Sequence, residues 1–108
     1  ALTQGVSLAQ TQQQHAEKYI ENGNQFFNQK DYESAKDAYQ KAITLIPAWE
    51  VPYMRIADTY EKLKQPVNAY YNYKQATLIN PTLLDSEGFT KRYRKLEKKT
   101  LKIEAKSP

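Results

Sequence analysis

Acid-base or nucleophilic chemistry in this sequence would have to be built on very few residues. His15 is the only histidine, standing in "QTQQQHAEKY" with no serine within a helical turn and no cysteine anywhere in the chain. A catalytic histidine needs a second positioned group within hydrogen-bond reach, so His15 is read as a solvated surface side chain and no catalytic residue is assigned. No glycine-rich phosphate loop and no His/Asp/Glu set at ligand spacing occurs, so neither a cofactor nor a metal site is expected. The absence of cysteine also removes disulfides and thiolate chemistry and leaves the redox compartment open. What remains is recognition chemistry, in two places. One is a pair of matched faces, Glu17, Ile20, Asn24, Phe27 and Asn28 in one segment, and Val51, Met54, Arg55, Asp58, Glu61 and Lys62 in another. These set large apolar side chains among hydrogen-bonding ones, and a merely solvated face would not need Ile20 and Phe27. The other is a basic run of Lys91, Arg92, Arg94, Lys95, Lys98, Lys99 and Lys102, suited to neutralising phosphates.

The elements that carry these residues follow from hydrophobic spacing. In "AEKYIENGNQFFNQ" Tyr19, Gly23 and Phe26 share one side of a helix, and Gly23, about 1 kcal/mol poorer than Ala as a helix former, marks a close approach by a neighbour. Tyr32, Ala35, Tyr39, Ala42, Ile43 and Ile46 then recur at helical spacing until Pro47 bars continuation, which makes a helical hairpin. The pattern restarts with Tyr53, Ile56, Ala57 and Tyr60. Pro52 is tolerated in the first turn of that helix, Gln65 and Pro66 form the turn, and a partner helix runs over 67–79. Seven positions match at an offset of 34. Tyr19, Gly23, Phe26, Ala35, Tyr39, Ala42 and Pro47 pair with Tyr53, Ala57, Tyr60, Ala69, Tyr73, Ala76 and Pro81.

A 34-residue period of helix pairs with this large, small, large, small, large, small, Pro series resembles the tetratricopeptide repeat family from Ala16 to Leu83. Asn22 departs from it, since the family usually has leucine there and the second repeat has Ile56. The resemblance implies an all-α fold, a right-handed α-solenoid of two helix-turn-helix repeats (16–49 and 50–83). It also implies a non-enzymatic interaction module whose first helices line a concave groove for a peptide. On that reading Ile20, Phe27 and Met54 are apolar anchors, and Asn24, Asn28, Arg55 and Asp58 select polar groups. The competing reading packs Ile20, Phe27 and Met54 against adjacent elements, and the sequence leaves both open. One subgroup of the family clamps a chaperone tail carboxylate with two Lys, two Asn and an Arg. Only Asn24 survives of those five, the other places holding Ile20, Arg55, Asp85 and Phe89, so that clamp is not expected.

No third repeat follows, because Glu87, Lys91 and Arg94 occupy positions that a buried seam would need. Residues 84–108 are expected to form a basic amphipathic capping helix and tail. Thr82 and Asp85 resemble its capping box, and Phe89, Tyr93, Leu96 and Ile103 form its inner face. The charge distribution agrees, since residues 1–83 hold eight basic and eight acidic side chains and the remainder holds eight basic and four acidic. The basic patch of Lys91, Arg92, Lys95, Lys98, Lys99 and Lys102 is read first as a solvated cap face. Nucleic acid and anionic membrane are the less favoured partners, and electrostatic tethering through this helix is the alternative function. Residues 1–15 form an N-terminal extension without charged Asp, Glu, Lys or Arg. Either Ser7 caps a helix that extends the first repeat helix backward, or Leu2, Val6 and Leu8 form an apolar strip that could fill a neighbour's groove and make a homo-oligomer. No apolar run is long enough to span a bilayer. The opening "ALTQGVSLAQ" leaves cytoplasmic and exported locations equally open.

Overall fold

The computed structural model describes residues 7–107, so the apolar strip expected at Leu2 and Val6 lies outside the described residues. The described chain is helical, in the order α1 (Leu8–Asn28), α2 (Tyr32–Leu45), α3 (Glu50–Lys62), α4 (Pro66–Ile79), a 3-10 turn (Pro81–Asp85) and α5 (Glu87–Ala105). Ser7 caps α1 through a full capping box: its Oγ accepts from Gln10 N–H at 3.1 Å, and Gln10 Oε1 accepts from Ser7 N–H at 2.9 Å. This extends the first repeat helix back through His15, which is exposed.

Both hairpins turn in the same way, and the turns stand one repeat period apart. Lys30 and Lys64 adopt left-handed conformations, with φ of 64° and 60°. After α1, Lys30 N–H bonds to Phe27 O and Asp31 N–H to Phe26 O; after α3, Lys64 N–H bonds to Glu61 O and Gln65 N–H to Tyr60 O. This pairing satisfies the last orphan carbonyls of each helix and reverses the chain. Asp31 then caps α2 by accepting from Ser34 N–H at 3.2 Å, and Pro66 opens α4 at a position where no amide is needed.

The helices pack in succession: α1 on α2, α2 on α3, α3 on α4 and α4 on α5. The small residues of the repeat make this possible. Ala35, Ala42, Ala57, Ala69 and Ala76 are fully buried, and Tyr39 and Tyr73 fill the space over them. Gly23 lies so close to Tyr39 that a Cβ there would fall 2.6 Å from Cδ1 and 2.9 Å from Cζ, inside the ring's van der Waals envelope. One core cluster joins Ala16, Ile20, Ala35, Tyr39, Ala42 and Ile56, and a second joins Ala57, Ala69, Tyr70, Tyr73, Tyr93 and Leu96, with Tyr60 against both.

The cap differs from expectation in two details. Asn80 Oδ1 accepts from both Thr82 N–H and Thr82 Oγ1, which winds Pro81–Asp85 into a 3-10 turn. Thr82 therefore caps nothing in α5, and Ser86, accepting from Phe89 N–H, takes that role. On the inner face of α5, Tyr93, Leu96 and Thr100 are buried and Phe89 is half-buried. Ile103 is 42% exposed because α5 runs on past its last buried position.

Candidate functional site

A groove of about 780 Å³ opens along the C-terminal halves of α1 and α3 and reaches α5. α1 lines it with Asn24, Phe27 and Asn28, and α3 with Arg55, Asp58, Glu61 and Lys62; Lys64 comes from the following turn, Tyr39 from α2 and Arg92 from α5. The helical period explains the selection. Positions 24, 27 and 28 lie one turn apart on the side of α1 away from Tyr19 and Phe26, and 58, 61 and 62 repeat them in the second copy.

Of the residues picked out by the sequence, Asn24, Phe27, Asn28, Arg55 and Asp58 come together here. Ile20 does not. It is buried among Ala16, Tyr39, Ala42 and Ile56, one helical turn ahead of the groove, so it is a core residue and not an accessible anchor. Met54, its counterpart in the second repeat, is half-buried and likewise sits a turn ahead of the groove lining. Phe27 is half-buried, packs against the first core cluster and meets Tyr32 edge-on, with ring centroids 5.4 Å apart, while also lining the groove.

The floor is a repeated hydrogen bond. Tyr39 Oη donates to Asn24 Oδ1 at 2.6 Å, and at the matching position of the second repeat Tyr73 Oη contacts Asp58 Oδ1. The second copy is more elaborate, because Tyr73 Oη also lies 2.7 Å from Glu61 Oε1 and accepts from Arg92 Nη2 at 3.1 Å. A phenol has one hydrogen, so Tyr73 serves only one of the two carboxylates at a time. Arg92 draws them together, with Nη2 3.8 Å from Asp58 and Nε 3.7 Å from Glu61, while Arg55 Nη1 stands 3.6 Å from Asp58. Burial pushes the Asp58 carboxyl above the ordinary aspartate range; the Tyr73 hydrogen bond, Arg92 and Arg55 pull it back, and Glu61 adds to the rise. Burial likewise raises the hydroxyl of Tyr39, pushed up to about 12, and that of Tyr73, which the neighbouring Asp58 and Glu61 raise further. Both phenols stay protonated at neutral pH and act as fixed donors.

Arg92 is the groove residue that the sequence places elsewhere. Composition groups it with the basic run, yet it leaves that face and points to Tyr73, Asp58 and Glu61. The signal was present, since Arg92 stands one further period after Asp58 in the row Asn24, Asp58, Arg92. Thus α5 keeps the repeat's groove position although it has lost the positions of the repeat's seam. Of the other members of the basic patch, Lys91, Lys95, Lys98 and Lys102 are exposed on the outer face of α5, and Lys99, also exposed, lies at its edge beside Glu61, Lys64 and Gln65.

The groove's acceptors and donors are unequally used. Asp58 and Glu61 are engaged by Tyr73 and Arg92, and Asn24 Oδ1 is occupied by Tyr39. Among the described residues Asn28, Lys62 and Lys64 have no side-chain hydrogen bond or ion pair, and the Asn24 amide hydrogens are unspent. No cluster of three His, Cys, Asp or Glu side chains that could hold a metal occurs among the described residues, and no described helix is long and apolar enough to cross a membrane. Residues 23–48 match the family model described as tetratricopeptide repeat. A search of curated proteins returned no match.

Proposed function

We propose, for a chain whose residues 23–48 match the tetratricopeptide repeat model, that the groove between α1, α3 and α5 is a binding site for an extended peptide segment of a protein partner. Tetratricopeptide repeats are generally protein–protein interaction modules and typically non-enzymatic. The observation that carries the finer reading is the excess of unspent donors over free acceptors beside one accessible aromatic ring. A partner segment that offers carbonyl or carboxylate oxygens to Asn24, Asn28, Lys62 and Lys64, and an apolar side chain to Phe27, complements that surface. Arg55 and Asp58 set the polar selection at the middle of the groove, Asp58 through its hold on Arg92. Ile20 and Met54 act from behind, by fixing the helices on which the groove residues stand.

Selection of displayed peptides against the whole chain, followed by titration of an enriched peptide, tests this. Phe27→Ala and Asn28→Ala should each weaken binding roughly tenfold, in line with loss of an anchor or a buried hydrogen bond. Enriched peptides that bind both folded variants as tightly as the parent chain would overturn the reading.

A further inference from the structure

The outer face of α5 is a second surface with chemistry of its own. Lys91, Lys95, Lys98, Lys99 and Lys102 recur at steps of four, three, one and three, which confines them to one arc of a straight helix over roughly 16 Å. All five are exposed, and none makes an ion pair among the described residues. The two arginines of the same segment are withdrawn from that arc. Arg92 turns into the groove, and Arg94 pairs with Glu97 at 3.2 Å and lies 5.7 Å from the Tyr93 ring centroid. What is left is a row of lysine point charges, with Glu61 beside Lys99 at its edge.

Two apolar residues flank the row near its C-terminal end. Leu101 is 59% exposed and Ile103 is 42% exposed; by helical period they fall on opposite sides of the lysine arc. Leu101 and Ile103 thus stand at the flanks of the helix, off the face that the lysines present, whereas a flat anionic interface meets every lysine of a straight helix at once. Single-strand recognition draws on stacking rings or guanidinium planes, which the lysine row itself does not carry.

We propose that the outer face of α5 docks the protein peripherally on an anionic lipid bilayer through the charges of Lys91, Lys95, Lys98, Lys99 and Lys102. The buried face of α5 stays packed on α4, so docking needs no unfolding.

Co-sedimentation of the full chain with phosphatidylcholine vesicles, alone or carrying about a third phosphatidylserine, tests the proposal, with a DNA duplex titration run in parallel. The expected result is binding only to the anionic vesicles, lost as salt rises from about 0.05 M to about 0.5 M. The variant Lys95→Gln, Lys98→Gln, Lys99→Gln, Lys102→Gln should lose roughly a hundredfold or more in affinity at low salt while its helical circular dichroism is unchanged. Absence of sedimentation with anionic vesicles, unchanged binding by the folded lysine variant, or tighter binding to the duplex than to the vesicles would each overturn it.

Discussion

Tyr73 Oη meets the Asp58 carboxylate at the place in the second repeat where, in the first, Tyr39 Oη donates to Asn24, so one hydrogen-bonded position of the repeat is neutral in one copy and ionisable in the other. In the second copy two carboxylates compete for one phenol hydrogen and are held together by Arg92. The raised Asp58 carboxyl gives this pair a pH signature. A folded-state pKa above the unfolded value means that the folded protein binds the proton more tightly, so the group's contribution to stability is fully present below the ordinary aspartate pKa and is lost as pH rises through the folded one. Asp58→Asn, which restores the first repeat's chemistry, removes that loss. Denaturant titrations should show the variant gaining on the parent chain as pH is raised from about 3 to about 7; a difference that stays flat or falls over that range would contradict the assignment.

Gly23 gives a second prediction, opposite in sign to helix propensity. Alanine is the better helix former by about 1 kcal/mol, yet its methyl would enter the Tyr39 ring, whose position is fixed by Asn24. Overpacking of this kind costs about 1–3 kcal/mol. Gly23→Ala should therefore lower the melting temperature and weaken the Tyr39–Asn24 bond, whereas a stabilised variant would show that α1 and α2 can part without loss.

The two left-handed lysines predict the reverse effect. Lys30 and Lys64 end α1 and α3 at positions where glycine carries no steric penalty. Lys30→Gly and Lys64→Gly should each stabilise the fold by about 0.5–1 kcal/mol after the added unfolded-state entropy is subtracted. Because the turns are separate, the two gains should add within about 0.5 kcal/mol, which equilibrium unfolding of the single and double variants measures.

Thr100 is fully buried in α5, and its hydroxyl has no hydrogen-bond partner. An unsatisfied buried hydroxyl costs about 1–3 kcal/mol, and valine keeps the shape without the polar atom. Thr100→Val should raise the melting temperature by about 4–8 °C for each kcal/mol recovered in a domain of this size; a lowered value would mean that the hydroxyl is satisfied in solution.

Much of the fold was legible because the repeat writes each contact twice. Tyr19 with Tyr53, Gly23 with Ala57 and Tyr39 with Tyr73 identify helices, turns and seam without reference to tertiary structure, and the all-helical array of successive pairs follows them. The groove was legible in part. Spacing placed Asn24, Phe27, Asn28, Arg55 and Asp58 on the faces that line the groove, but spacing does not say where along a helix its neighbour ends. Ile56 of α3 closes over Ile20, so that side chain enters the core. Arg92 was hidden by composition, since a run of basic residues masks the one whose period belongs to the groove. Thr82 was misplaced because Asn80 captures it locally, an interaction that competes with helix capping at the level of two residues.

The central claim is that the groove, and not the outer faces of α2 and α4, receives the partner. Amide and side-chain NMR shifts of the chain, followed while a display-selected peptide is added, test it most directly. The account predicts that the largest changes fall on the side-chain amides of Asn24 and Asn28 and on the backbone of Phe27, Arg55, Asp58 and Lys62. Changes concentrated on Lys41, Tyr71 or Leu78, with those groove signals unmoved, would contradict it.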